Sequence, residues 1–502
     1  MVAPHGCALV LRHVLYVDGP RSAERNADTR SEEERMKTYV PLGISTQRKR
    51  LGHLALLLAM TASGLVGCRG TYESATKHDL QTAASLVAAE DVRRESTPSI
   101  DGSLGSYVAL ALERSPALRA SFERWRAATM RISRARRMPE PVIKYSYFVR
   151  SIETRVGPQQ HKLSLMQAFP WPTALSAGAD AASAKARAAQ RSFDARALEV
   201  RQAVADAYWR LWLVHEEHRL TKEHDIVLET LAGTVRSRVR TGEASLADLN
   251  QVELGIARHH DHHGAHRESA RVAVADLRRA IGAAPEGQTL RVTDTPFEGL
   301  PAEAEPALHE DARRHPRIQA ADLMASSSDS EVRAEAADRA PSLLAGLDWI
   351  VVGESPVPTR RSGQDAVIVT AGLSVPLWGP SYRDSIGAAR AEGAASRADR
   401  DAAMNAADAD LEAALSAVRG AQRRIDLYRN TLIPQAETTF QSVLGGYQSG
   451  RSTVASALLA QRDLLELQLE LASSRARHAR AWAVLEAVVG RNVEPETEGI
   501  DR

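Results

Sequence analysis

Along most of this chain apolar residues recur at helical spacing, but in two stretches the period drops to two. The first runs from Pro141 to Phe169. It sets Ile143, Tyr145, Tyr147 and Val149 on one side of an extended strand and Lys144, Ser146 and Arg150 on the other. Its return strand places Leu163 and Leu165 opposite Lys162 and Ser164. The second stretch, Ser342 to Val375, repeats the scheme: Leu343, Leu347, Trp349 and Val351 against Gly346 and Asp348, then Val367, Val369 and Leu373 against Thr370 and Ser374. Each predicts a hairpin with one apolar face. Around them the helical period predicts helices from about Leu104 to Arg137, Thr173 to Arg240 and Ser245 to Ile281. The series recurs from about Ala307 to Arg339, Tyr382 to Gln448 and Ser452 to Val489. The helix starting at Thr173 would reach on the order of 100 Å, longer than any single globular domain.

The same order of elements in two halves points to a duplication, and the breaker residues agree. Pro116 matches Pro316 and Pro141 matches Pro341 at an offset of 200. Pro170 matches Pro376 at 206, and Gly242 and Gly282 match Gly450 and Gly490 at 208. Six extra residues therefore lie between the second-half counterparts of Pro141 and Pro170, as a loop tolerates. A period this long is not a solenoid of small repeats. The expected organisation is residues 103–290 and 307–491 as two repeats joined by 291–306, with a tail at 492–502.

Roughly ten-residue strands with one apolar face suit a transmembrane β-barrel, though a soluble hairpin packed on helices fits each segment equally well. The N-terminus separates the two. Arg48, Lys49 and Arg50 precede a mostly apolar stretch, Leu51 to Gly67, that ends in Leu65-Val66-Gly67-Cys68. This resembles a bacterial lipoprotein signal with Cys68 as the lipidated mature terminus. A spanning helix wants about 20 strongly apolar residues, and this stretch is shorter and carries His53. Residues 1–67 then read as a signal peptide, with Met36 an alternative start, and 68–102 as a lipidated linker. A lipid anchor brings the strands to a membrane, which they can enter only as a closed barrel. Four strands per chain are too few, since about eight are needed to enclose even a side-chain core. Several copies must assemble; two would supply eight strands and three would supply 12, and only the larger leaves an open lumen.

Composition narrows the function further. The formal charge of the chain is +1, and the part after Cys68 comes to −2, which gives no hint of nucleic acid. Cys7 and Cys68 are the two cysteines, so a mature chain beginning at a lipidated Cys68 has no free thiol for disulfides or a cysteine metal site. Aromatics are 5%, the composition of long helices rather than of an aromatic-rich pocket. Val352 to Ser355 lacks the glycine-flanked serine elbow of hydrolases, and no Walker loop or dinucleotide fingerprint is present. An enzyme is not expected, nor any cofactor.

Taken together, the cysteine at 68, the strand exits Phe169-Pro170-Trp171 and Val375-Pro376-Leu377-Trp378, and the turns centred on Gly242 and Gly450 resemble the TolC-type outer-membrane efflux protein family. The resemblance is strongest to its lipoprotein branch, which serves resistance-nodulation-division pumps and heavy-metal efflux systems. It implies a mainly α fold with a membrane β-barrel: a homotrimer whose 12 strands form an outer-membrane pore, continued by a helical barrel across the periplasm. It implies a passive conduit, with a periplasmic adaptor and an inner-membrane pump as partners and outer-membrane lipid around the strands. It also implies that the helix-turn-helix tips meet the adaptor and close the channel, singling out Thr241, Gly242, Ser245 and Leu246 in one turn and Ser449, Gly450, Thr453 and Val454 in the other. The competing reading is a lipid-anchored periplasmic coiled-coil scaffold or adaptor without a pore, which leaves both hairpins without a role.

Within the helices, small residues such as Ala177 to Ala182 and Gly387 to Ala391 should allow close approach, while Leu464, Leu465, Leu467 and Leu469 supply an aliphatic seam. One cluster stands apart: His259, His260, His262, His263 and His266. His259, His263 and His266 follow an i, i+4, i+7 spacing and share a helical face, so neutral imidazoles there are candidate metal ligands. An antiparallel fold-back about Gly242 would set His218 level with His266 and His224 level with His260.

Overall fold

The computed structural model describes residues 73–93, 100–282, 289–357 and 360–496. The segments read as signal peptide and lipidated cysteine, and the end of the tail, lie outside the described residues. In chain order the first repeat holds α2 (Leu104–Arg114), α3 (Pro116–Ala135), β1 (Val142–Thr154), β2 (Gly157–Phe169), α4 (Pro172–Arg240) and α5 (Leu246–Ala280). The second holds α6 (Glu305–Arg313), α7 (Pro316–Ala337), β3 (Ser342–Val352), β4 (Ala366–Ser374), α8 (Gly379–Leu427), a π-turn (Tyr428–Leu432), α9 (Ile433–Gln448) and α10 (Val454–Val489). An additional helix, α1 (Glu73–Arg93), occupies much of the segment read as a linker.

Three helices read as continuous are interrupted, and proline accounts for each. Proline disfavours helical backbone in the residue before it yet suits the first helical position. Leu104 to Arg137 breaks at Ser115, whose hydroxyl accepts from the Leu118 N–H as Pro116 opens α3. Ala307 to Arg339 breaks likewise at His315, whose Nδ1 accepts from the Arg317 N–H at 3.1 Å, with Pro316 opening α7. Pro434 cannot donate to the helical ladder, and just before it the backbone widens into the π-turn between α8 and α9.

The helices beside the strands pack through small residues. Ala177, Ala179 and Ala181 on α4 are buried, and Ser327 on α7 donates to the Ala181 carbonyl at 3.0 Å. Ser328 and Ser396 join α7 to α8 hydroxyl to hydroxyl at 3.0 Å. Farther along, the core thickens around Tyr107, Tyr208, Trp209, Leu211 and Leu277. Tyr208 draws the segment between the repeats onto it: its hydroxyl accepts from the N–H groups of Thr293 and Asp294 and donates to the Gly102 carbonyl at 2.9 Å. Burial pushes that phenol up to about 12, so it stays neutral and keeps donating. The aliphatic seam is present, with Leu464 and Leu465 buried and Leu469 partly so.

The four strands form one antiparallel sheet in chain order, β1-β2-β3-β4. Every helix-bound strand end lies at one end of the sheet. The short β1–β2 turn and the longer β3–β4 loop lie at the other, tied by Gly353 N–H to the Pro158 carbonyl at 2.8 Å and Gly363 N–H to the Val156 carbonyl at 2.9 Å. The extra length of the second repeat's hairpin sits in this β3–β4 loop.

Candidate functional site: the sheet face and the helix tips

Strand register turns the alternation into continuous rows. Ile143 pairs with Leu165, Leu165 with Leu347, and Leu347 with Val369. One rung nearer the hairpin ends, Tyr145, Leu163, Trp349 and Val367 line up the same way. All eight side chains face outward, from 44% exposed at Leu163 and Leu347 to 71% at Ile143 and Val369. A contiguous apolar sheet face this open marks a surface made to meet something other than water. The opposite face is mixed. Lys162 and Asp348 form an ion pair at 3.2 Å beside buried Ser164, and Ile368 interrupts the polar row of Lys144, Ser164 and Asp348. Val149 and Arg150, assigned to opposite faces by alternation, lie where the β1–β2 register shifts between Tyr147 and Ile152, so simple alternation no longer places them. Trp171 and Trp378 stand exposed where β2 and β4 pass into helices.

At the far end of the helical hairpins the two predicted turns share one construction. Gly242 and Gly450 have φ of 77° and 74°, the left-handed region that closes a helix end and favours glycine. Glu243 and Ala244 N–H donate to the Arg238 carbonyl; Arg451 and Ser452 N–H donate to the Gly446 carbonyl. The returning helices are capped by Ser245, in a reciprocal box with Asp248, and by Thr453, which accepts from Ser456 N–H at 3.2 Å. Thr241, Gly242, Ser245, Ser449, Gly450 and Thr453 are exposed, as is Leu246 at 64%.

Val454 departs from the sequence expectation. It is 2% exposed and sits behind its turn with Leu231, Val235, Val252 and Tyr447, so it anchors the tip instead of lying on its surface. Its counterpart in the first repeat is exposed Leu246, and the two tips are therefore unlike. A contact missed in the sequence joins them. The Arg238 guanidinium lies 4.9 Å from the centre of the Tyr447 ring and donates to the Tyr447 carbonyl at 2.5 Å. Periodicity alone does not say which faces of the two hairpins meet, so nothing in the sequence singled out this pair.

The histidines divide. Asp225 on α4 accepts from His259 Nδ1 at 2.9 Å and from His263 Nε2 at 2.5 Å. Burial opposes its charge, but those hydrogen bonds outweigh it and hold the carboxyl below its ordinary value. The rings of His218 and His263 lie 5.2 Å apart, and those of His218 and His266 6.2 Å apart, consistent with an antiparallel fold-back. His224 does not face His260: it is buried against α10, bonded to Gln468 at 2.8 Å and Gln461 at 2.9 Å. Burial lowers its pKa and keeps the ring neutral.

The outer membrane efflux protein model matches residues 107–283 and 307–491. Among solved structures, CusC, described as forming a transmembrane channel, is 14% identical with a TM-score of 0.66, covering 79% of this chain and 94% of that one. The outer membrane protein VceC of Vibrio cholerae is 19% identical with a TM-score of 0.64, covering 78% of this chain and 97% of that one. The CmeC outer membrane channel of Campylobacter jejuni is 14% identical with a TM-score of 0.62, covering 79% and 87%. No curated protein matches the sequence.

Proposed function

The chain belongs to the outer membrane efflux protein family, and from that premise we propose that it is the outer-membrane channel of a three-part export system. Three copies join their sheets into one 12-stranded barrel, and their helices continue it as a wall across the periplasm. The observation that carries this is the pair of apolar rows crossing all four strands, with every helix-bound strand end on one side. Four strands leave two open edges, and edge-to-edge joining with other copies removes them while turning the apolar rows toward lipid. The mixed face then lines water. Transport is passive, and an inner-membrane pump reached through a periplasmic adaptor supplies the driving force. The exposed tip residues Thr241, Gly242, Ser245, Leu246, Ser449, Gly450 and Thr453 are the adaptor's docking surface, without Val454. Purified protein should run as a heat-modifiable trimer and conduct ions in planar bilayers. A water-soluble, non-conducting monomer would leave only the anchored scaffold.

Cys68 is the lipid-bearing terminus on the same reading, and α1 supports it. Glu73 is 3% exposed, bonded to Lys77 Nζ at 2.6 Å and paired with Arg136 Nε at 3.0 Å, six residues before β1 begins. Only four residues lie between Cys68 and Glu73, a reach of at most about 17 Å. A tether that short suits an anchor in the leaflet beside the strand entrance. Mass spectrometry of the membrane-extracted protein should find Cys68 acylated and residues 1–67 gone. A Cys68→Ser variant should lose the lipid and the cleavage together, and an unmodified Cys68 in the wild type would reject the anchor.

A further inference from the structure

Midway along the α4–α5 pair, away from both the sheet and the tips, four imidazoles and two carboxylates gather in a cluster that conduction does not use. Glu217, His218 and Asp225 come from α4; His259, His263 and His266 come from α5. The chemistry starts at Asp225. A carboxylate only accepts, so the His263 Nε2 bonded to it carries a ring proton, and in the neutral imidazole the lone pair then falls on Nδ1. That Nδ1 is shielded from solvent and has no hydrogen-bond partner among the described residues. An imidazole whose second nitrogen is held by a carboxylate is the arrangement that orients metal ligands and raises their basicity.

The neighbouring rings stand at matching spacing. With Zn–N bonds of about 2.0–2.1 Å, two imidazoles on one tetrahedral zinc have ring centres roughly 5 Å apart. His218 and His263 are 5.2 Å apart, nearly edge-on at 77°. His266, one helical turn from His263, is 6.2 Å from His218, and its Nδ1 is 3.8 Å from the Glu217 carboxylate.

We propose that His218, His263 through Nδ1, and His266 bind a zinc-class divalent cation, with Glu217 as fourth donor and Asp225 as the positioning residue for His263. Three imidazoles and one carboxylate suit a borderline ion such as Zn²⁺ better than calcium or magnesium, which take oxygen ligands. Among the described residues no three His, Cys, Asp or Glu side chains already converge on one point. The ion therefore closes the site by turning His218 and His266 toward the waiting Nδ1. His218 is exposed, so the ion enters from solvent without unfolding the pair. Once bound, it staples α4 to α5. His259 serves as support: its Nδ1 is committed to Asp225, and its ring lies beside His262 while His263 and His266 lie beside His218.

The test uses the full-length protein in detergent, Zn²⁺ alone as the probe, and a chromophoric chelator as competitor near neutral pH. Saturable binding of one ion per chain is expected, accompanied by a rise in thermal midpoint. His218→Ala and His263→Ala should each weaken binding at least tenfold and remove that rise. Asp225→Asn should weaken it about 10–100-fold although it removes no ligand. Exposed His260→Ala should change nothing. His218→Gln serves where an alanine variant loses its helical circular dichroism. Absent saturable binding, or equal affinity in a His218/His263 double variant, overturns the site. Neither outcome bears on conduction, which the bilayer measurement reads separately.

Discussion

Arginine at Leu165 and Val369 is expected to remove the protein from the assembled outer-membrane fraction. Both residues lie in the row running from Ile143 across the sheet, Leu165 on the second strand and Val369 on the edge strand. If that row meets hydrocarbon, each arginine near the bilayer middle costs about 2–4 kcal/mol, and a trimer carries three copies of each. For two sites in three chains that is about 12–24 kcal/mol per trimer, comparable to or above the roughly 5–15 kcal/mol margin of a folded domain. The variant should accumulate as unassembled monomer, detected by loss of the heat-modifiable band. The control lies one residue from Ile143: Lys144 is on the opposite, mixed face, so Lys144→Gln should assemble normally. Normal assembly of the double arginine variant would mean the rows do not touch lipid, and the barrel reading would fall.

The second large effect is expected at the tips, where assembly and export should separate. Glutamate at Gly242 or Gly450 must adopt a positive φ, at a cost of roughly 1–2 kcal/mol per site. Among the described residues no neighbouring atom lies within 4 Å of a Cβ built at Gly242, so the local penalty there is that of the backbone. A Cβ at Gly450 comes within 3.8 Å of the Arg238 guanidinium, so a carboxylate there also competes for the Arg238–Tyr447 contact. Trimer yield and membrane insertion should persist in both variants, while export falls at least tenfold, further for Gly450→Glu. If Cys68 is acylated and residues 1–67 are removed, as proposed, the mature chain has no free thiol, and cysteine at Thr241 becomes a single reporter for cross-linking to the adaptor. The glutamate variants should lose that cross-link as well. Undiminished export from both would show that the tips are simple turns.

How much was legible in the sequence depends on the range of the interactions involved. Turn chemistry is local, so Gly242, Ser245, Gly450 and Thr453 were placed correctly from their neighbours alone. The strand faces were legible because alternation reports one buried or lipid-facing side directly, and it lost its meaning only at the β1 irregularity near Val149. Helix interiors were read too long at Ser115 and His315, where proline starts a new helix without disturbing the apolar period. Helix α1 was missed because its apolar positions hardly favour one side.

What the residues determined unaided was therefore periodicity: two repeats, four strands with an apolar side, helices on the order of 100 Å, and the turns between them. What only the tertiary structure decided was which helix faces meet, because a period of 3.6 assigns a side to each helix but no partner to that side. That choice buries Val454 while leaving Leu246 exposed, brings Arg238 onto Tyr447, turns His224 toward α10, and leaves the His263 Nδ1 open beside His218. Each of these follows from packing between segments far apart in the chain, which no local pattern encodes.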